Sequence, residues 1–405
     1  MRRRNEEYLV ALDVGTSTTR CGVACWRPDG SLVLEGYGRV ATAGVSKGLV
    51  LDATAATESV RAAIEMAARR AQVKVYSVFV SVATPFARGF NSRGCIGIAR
   101  EDKIIRGNDA RRALAAARKV SLPTGRAVLD VYDQGFAVDD TRGVRNPVGL
   151  AGARLEAEVL VVTDSLSAQN NLAHVVRRAG YRLDHCVFGP VAAANAVLSD
   201  EEKQLGGAFV DVGATTTSVV LFAAGAPRFC RVVPIGSQHI TNDLAIGLNI
   251  SVDEAEDLKR RYGIPEALPA RGEPAESAAG GERKVPLPRL ALIVRARVEE
   301  IFEIVATELD RSGHPAAASA RVVLAGGFCR LPGGPDAARR VLRRPVRIAA
   351  PEIETTMSQF NPDPTHAVLI GTLWRGAWHH ERKLDRRFDD ERWFRNIFRK
   401  VAGWL

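Results

Sequence analysis

The sequence predicts a duplicated α/β fold, two related halves facing each other across a cleft. The first of three observations is Leu9-Val10-Ala11-Leu12-Asp13-Val14-Gly15-Thr16-Ser17-Thr18-Thr19, an apolar β-prone run ending in a carboxylate, a glycine and a row of hydroxyls. The second is its echo near mid-chain, Ala208-Phe209-Val210-Asp211-Val212-Gly213-Ala214-Thr215-Thr216-Thr217-Ser218. Glycine lets backbone approach an anion, and the hydroxyls and amides can donate to its oxygens. One such turn is common in α/β proteins; a repeat of it marks a duplicated domain. The third is Val322-Val323-Leu324-Ala325-Gly326-Gly327, a buried strand running into a diglycine against which a flat ring or a phosphate can lie. By itself that is only a tight turn.

In chain order, residues 21–26 continue as a strand, Pro28-Asp29-Gly30 signals a hairpin, and 32–37 returns. Residues 57–71 read as an amphipathic helix with Val60, Ile64 and Ala67 on one face. An α+β insert, 78–162, with a helix at 108–120 and strands at 127–132 and 134–138, is bounded by two strands of the parent domain, at 75–82 and at 159–163, where the parent sheet resumes. The loop Arg145-Asn146-Pro147-Val148-Gly149-Leu150-Ala151-Gly152 suits a structural connection and a contact surface equally. Asp164 is the expected N-cap of a helix at 165–179 that Gly180 ends, followed by a strand at 183–187. The helix at 190–198 is so rich in Ala that another helix must pack very close to it.

Beyond the second turn, 228–234 is the hairpin return, and 241–248 and 252–262 are helical. The latter puts Glu256 and Lys259 on one face, by themselves a surface ion pair. Residues 264–288, rich in Pro, Gly, Ala and Glu, read as a flexible loop before a long helix at 290–311. A helix and short strand at 334–350 and a last helix at 365–377 complete the body.

A chain of 405 residues has room for two or more domains. Its 46% hydrophobic and 25% charged content is that of an ordinary globular protein. The net charge of +10 does not imply nucleic acid: only nine of the 56 basic residues are Lys, a bias that fits GC-rich coding, and no basic run in the body is interleaved with aromatics. The cysteines at 21, 25, 95, 186, 230 and 329 form no C-x-x-C pair, which argues against a zinc site and for a reducing compartment. Neither a signal peptide nor an apolar span of membrane length is found, so a cytosolic chain is expected unless another segment attaches it to a surface.

The end of the chain supplies such a segment. Residues 379–390 are almost wholly charged and read as a solvated linker with an r.m.s. span of about 20 Å. In 391–405, the apolar Trp393, Phe394, Ile397, Phe398, Val401, Trp404 and Leu405 fall within roughly 140° of a helical wheel. Arg392, Arg395, Arg399 and Lys400 occupy the other side. Large aromatics opposite four cations are the pattern of a helix lying in the plane of a bilayer.

Taken together, these residues resemble the FtsA family, bacterial division proteins of the actin superfamily that tether FtsZ filaments to the membrane. The resemblance runs from Tyr8 to the terminal helix. It is carried most specifically by Asn146-Pro147-Val148-Gly149-Leu150 with Gly152, and by Ile240-Thr241-Asn242-Asp243-Leu244-Ala245. It implies two ribonuclease-H-like halves around a nucleotide cleft, at 8–77 with 163–204 and at 205–238 with 320–378. A family-specific subdomain is then expected at 78–162 and a small subdomain at 239–319. It implies ATP, with Asp13 acting on Mg²⁺ through water. Gly15, Thr16 and Ser17 would form one phosphate turn and Asp211, Gly213, Thr215 and Thr216 the other, with Glu256 and Lys259 at the ribose and base and Gly326 and Gly327 at the adenosine. Asp13 and Asp211 are the candidates for positioning metal or water.

As implied partners it gives the FtsZ C-terminal tail, docking near Arg295, Arg297 and Glu300, as well as further copies of the chain, anionic lipid, and later division proteins through 78–162. The expected location is the cytoplasmic face of the inner membrane at the division site. The second turn departs from the family pattern Asp-x-Gly-Gly-Gly-Thr-Thr-Asp at Ala214, Thr215 and Ser218. If Ala214 needs a positive φ, its side chain costs on the order of 1 kcal/mol. Loss of the acid makes ATPase activity weak or absent. The alternatives are a sugar-kinase-like phosphotransferase, which needs a carboxylate base that no residue clearly supplies, and a pilus-type actin-like adaptor.

Overall fold

The computed structural model describes residues 7–27, 29–264, 274–275 and 285–385. The run that ends at Asp13 is the central strand Glu7–Val14, antiparallel to Thr18–Trp26 and parallel to Ser77–Val82. Across the sheet the order is Arg182–Phe188, Ser77–Val82, Glu7–Val14, Thr18–Trp26, Leu32–Ala41 and the short Glu354–Thr355. The second half repeats this order as Val346–Ile348, Arg321–Ala325, Gly207–Val212, Thr217–Ala223 and Ala226–Val233, with the same parallel and antiparallel senses. The echo in the sequence is therefore an echo in topology.

Helices cover both faces of the first sheet. Ala53–Ala71 begins four residues before the expected start because the Asp52 carboxylate caps it, accepting from the Thr54 and Ala55 N–H groups at 2.8 and 3.1 Å. The Ala-rich helix Gly189–Val197 lies against Ala367–Asp385, as expected: a Cβ on Gly371 would stand 2.1 Å from the Ala192 carbonyl oxygen. The last helix runs to Asp385, so residues 379–385, expected as part of a linker, are helical instead. Its His380 Nε2 lies 2.5 Å from Glu7 on the first strand.

The insert differs from its sequence reading in two ways. Ser77–Val82 belongs wholly to the parent sheet, whereas the strand expected to resume that sheet, Arg154–Ser165, pairs with the insert strands Arg88–Gly97 and Arg126–Val138. Burial on both faces explains the misreading. Leu155, Ala157, Val159 and Val161 pack with the insert helix Gly107–Ala117, and Leu160 and Val162 with the parent core, so that residues 159–162 form a continuous apolar run. The two strands expected at 127–132 and 134–138 are one strand with two shifts of register, one opposite Glu158 and Val159, next to Gly135 at φ +116°, and one opposite Val162 and Thr163. The helix after it is capped by Ser165, not Asp164; buried Asp164 instead accepts from Thr84 Oγ1 at 2.7 Å.

In the second half, Ser237–Leu248, Val252–Tyr262 and Leu287–Arg311 pack around a core of Ile240, Leu258, Val294, Ile301 and Phe302. Most of the loop expected at 264–288 lies outside the described residues. So does the amphipathic segment 391–405, with Arg392, Trp393, Phe394, Arg395, Ile397, Phe398, Arg399, Lys400, Val401, Trp404 and Leu405. Among the described residues no helix is long and apolar enough to cross a membrane.

Candidate functional site

Each central strand delivers its acid to the same place. After Asp13 the chain turns, and the Gly15 N–H donates to the Thr18 carbonyl at 3.2 Å; after Asp211 the Gly213 N–H donates to the Thr216 carbonyl at 2.9 Å. The turns are equivalent, and they face each other across a cleft of about 930 Å³, the size of a small-molecule or cofactor site. Asp13, Gly15, Thr16, Ser17, Asp211, Gly213, Thr216, Glu256, Lys259, Gly326 and Gly327 all line it. Thr215 does not. Its hydroxyl lies 2.7 Å from that of Thr16 and accepts from the Lys47 N–H at 3.1 Å, so it bridges the two turns. Ala214 is not among the residues with positive φ, so the expected strain at that position does not arise.

The strand registers set the electrostatics. Asp13 stands opposite Arg20 and Asp211 opposite Ser218, the same position in each half. Arg20 Nη1 lies 3.6 Å from Asp13, and Ser81 donates to Asp13 at 2.9 Å. Burial still raises the Asp13 pKa, with Arg20 and Ser81 opposing. Asp211 is pushed up to about 7 by burial and by the Asp13 charge, and Arg20 alone draws it down. Two half-buried carboxylates facing one cleft fit a hard divalent cation held through oxygen or water. Neither Arg20 nor Ser81 is among the sequence-selected residues; counting register back from the hairpin would have put Arg20 beside Asp13.

The remaining wall comes from the second half. Lys259 is buried, not a surface cation: its Nζ donates to Glu256 at 2.5 Å, to Thr241 Oγ1 at 2.9 Å and to the Ser237 carbonyl at 3.3 Å. Burial lowers the Lys259 pKa. Burial works to raise Glu256, but hydrogen bonds from Lys259, Thr241 and Arg260 outweigh it and hold the carboxyl low. Thr241 belongs to the segment singled out at 240–245, which thus serves to lock this pair. Gly326 has φ +83°, and a Cβ there would meet Asp211 Oδ1 at 2.1 Å; a Cβ on Gly327 would meet nothing. The first glycine lets the acid and the diglycine pack together, and the second leaves open space in the cleft.

Away from the cleft, Arg297 is not an exposed cation awaiting a partner. It grips Asp243 through Nε at 2.5 Å and Nη2 at 3.0 Å, and also pairs with Glu300. Arg295, two positions earlier on Leu287–Arg311, has a buried Nε with no hydrogen-bond partner among the described residues.

The chain is similar to known proteins. A family profile described as "Cell division protein FtsA" matches residues 208–371, and one described as "SHS2 domain inserted in FTSA" matches 87–163. The cell division protein FtsA of Bacillus subtilis (strain 168) is 35% identical over 396 residues, covering 96% of this chain and 88% of the relative. That of Pseudomonas aeruginosa is 34% identical over 374 residues, covering 91% of this chain and 89% of the relative. Among solved structures, the PilM-PilN type IV pilus biogenesis complex aligns with a TM-score of 0.64 at 17% identity, over 91% of this chain and 98% of that one. MreB 5 of Spiroplasma citri bound to AMPPNP aligns at 0.53 and 14%, over 94% and 98%. At those identities the structures speak for the fold, which is actin-like. With paired turns in two duplicated halves, an insert matching the SHS2 profile and relatives above 30% identity along nearly its whole length, the chain belongs to the FtsA family of cell division proteins.

Proposed function

We propose that this protein binds ATP with Mg²⁺ in the cleft between its halves and tethers FtsZ filaments to the inner face of the cytoplasmic membrane at the division site. The observation that carries the reading is the meeting of two equivalent Asp-x-Gly turns at one cleft, with a buried Lys–Glu pair and an open diglycine on its far wall. Amides and hydroxyls of the turns take the phosphates. Arg20 neutralises part of their charge, Asp13 and Asp211 hold Mg²⁺ through water, and the Glu256–Lys259 pair borders the nucleoside. Magnesium supplies charge neutralisation at the phosphates.

Turnover is slow or absent. Ser218 stands opposite Asp211, where an acid completes the family pattern, and a hydroxyl is a poor base. The cleft then serves to set conformation and self-association, while 391–405 binds anionic lipid and the 78–162 insert recruits later division proteins. The FtsZ tail, acidic and apolar, meets the surface around Arg295. Ile246 (81% exposed) and Leu292 (67% exposed) offer apolar contacts there, on helices that pack together where Gly247 faces Ile293. A sugar-kinase-like or pilus-type role gains no support beyond the shared fold.

Millimolar ATP with Mg²⁺ raises the melting temperature of this protein, and Asp13→Asn reduces the shift; no shift for the wild type removes the nucleotide assignment. Capture of the protein by an immobilised FtsZ C-terminal peptide is weakened by Arg295→Glu. Arg297→Glu is the poorer probe because it also breaks the pair with Asp243.

A further inference from the structure

We propose that Asp130, His185 and His379 form a binding site for a divalent metal ion of the zinc class, which rivets the last helix to the body of the protein. The three residues come from separate elements: the insert strand Arg126–Val138, the parent strand Arg182–Phe188 and the helix Ala367–Asp385. One ligand atom from each lies within 4.8 Å of the others. The two imidazole rings are tilted by 49° with centroids 4.1 Å apart. Two imidazoles and a carboxylate are a donor set for zinc or its first-row neighbours, with a fourth position left for water.

Ligand atoms on a tetrahedral zinc stand roughly 3.3 Å apart, so closure needs only small side-chain rotations of two partly exposed imidazoles. The carboxylate is already oriented. Asp130 accepts from the Val131 N–H at 2.9 Å, the Tyr132 hydroxyl at 2.8 Å and Arg375 at 2.5 Å. Bonds of this kind from outside the metal's own ligands aim a coordinating carboxylate. Arg375 is itself held with its guanidinium 4.0 Å from the Trp378 ring centroid and 4.6 Å from that of Tyr132. Burial alone would raise the Asp130 pKa, but Arg375, with His379 and Tyr132 aiding, outweighs it and holds the carboxyl below its ordinary value. That same cation lowers the affinity for metal, which favours a site filled at micromolar rather than trace zinc. No cysteine takes part, so cysteine spacing alone could not reveal the site. A metal here fixes the direction in which the helix leaves the body toward residues 386–405.

The test uses the full-length chain, untagged, stripped with chelator and kept in excess Mg²⁺ so that the cleft is served by its own cation. Titration with Co²⁺ is expected to give one equivalent with the intense d–d absorption of a tetrahedral site and no thiolate charge-transfer band. Zn²⁺ displaces it and raises the melting temperature. His185→Gln and His379→Gln each weaken binding tenfold or more. His380→Gln, one residue further on and facing Glu7, leaves it unchanged. Absence of binding, or equal binding by the wild type and both variants, overturns the proposal. X-ray absorption on the zinc-loaded wild type needs no variant: two imidazoles and oxygen support the site, and sulfur or an all-oxygen shell overturns it.

Discussion

Asp13 and Asp211 hold equivalent positions in the two halves, but only Asp13 has a cation opposite it. The consequence is a pH-dependent weakness. Asp211 moves from 3.8 to about 7 on folding, so between those values the native state keeps a proton that the unfolded chain releases. The accompanying stabilisation is complete below the lower value and is lost as pH rises through the upper one. Asp211→Asn, neutral throughout, is expected to melt higher than the wild type at pH 8, by a margin on the order of a few kcal/mol. That margin shrinks toward zero near pH 4. Melting curves across pH check this, and a margin constant with pH would refute it. The sequence makes Asp13 and Asp211 visible because the strand–acid–glycine–hydroxyl pattern is local. Arg20 and Ser81 escape it because their place beside Asp13 depends on strand pairing. Lys259 is visible too, but its burial is not, for a related reason: it needs Thr241 and Ser237 from a different helix.

At the scale of elements, the last helix holds the insert to the first half. Arg375 reaches from Ala367–Asp385 to Asp130 on the insert strand, with side-chain exposures of 13% and 2%. Removing one member of such a pair leaves an uncompensated buried charge and costs about 3–5 kcal/mol. Arg375→Met is therefore expected to lower stability by that amount, while adding Asp130→Asn recovers part of the loss. Denaturant titration of the single and double variants measures this, and strict additivity would show that the pair is not coupled. Pattern alone finds most elements here but misassigns Arg154–Ser165. Within it, Val159 to Val162 serve the insert core and the parent core by turns, so this stretch lacks the polar beat that Arg154, Glu156 and Glu158 give the start of the strand. The helix–strand order of a two-faced strand is legible; its partners are not.

For the whole molecule, the duplication was visible in two eleven-residue runs, and the insert in the change of pattern between them. The proposed attachment to the membrane is assigned to residues 391–405. Four cations near an anionic surface contribute about 1 kcal/mol each, and a helix over 391–405 would add the burial of four large aromatics and three further apolar side chains below the headgroups. Deleting 391–405 is thus expected to abolish flotation with anionic liposomes while leaving the ATP-induced melting shift intact, because the described residues that line the cleft already supply both turns, the Glu256–Lys259 pair and the diglycine. Replacing Arg392, Arg395, Arg399 and Lys400 with Gln separates the two contributions. The preference for anionic over neutral lipid disappears and binding loses its sensitivity to salt, since screening acts only on the charge component. Trp393→Ala with Trp404→Ala weakens binding to both lipid types instead. Flotation of the truncated chain at wild-type levels would move the membrane contact onto the body, and loss of the ATP shift with the tail would mean that the last residues shape the cleft as well as the address.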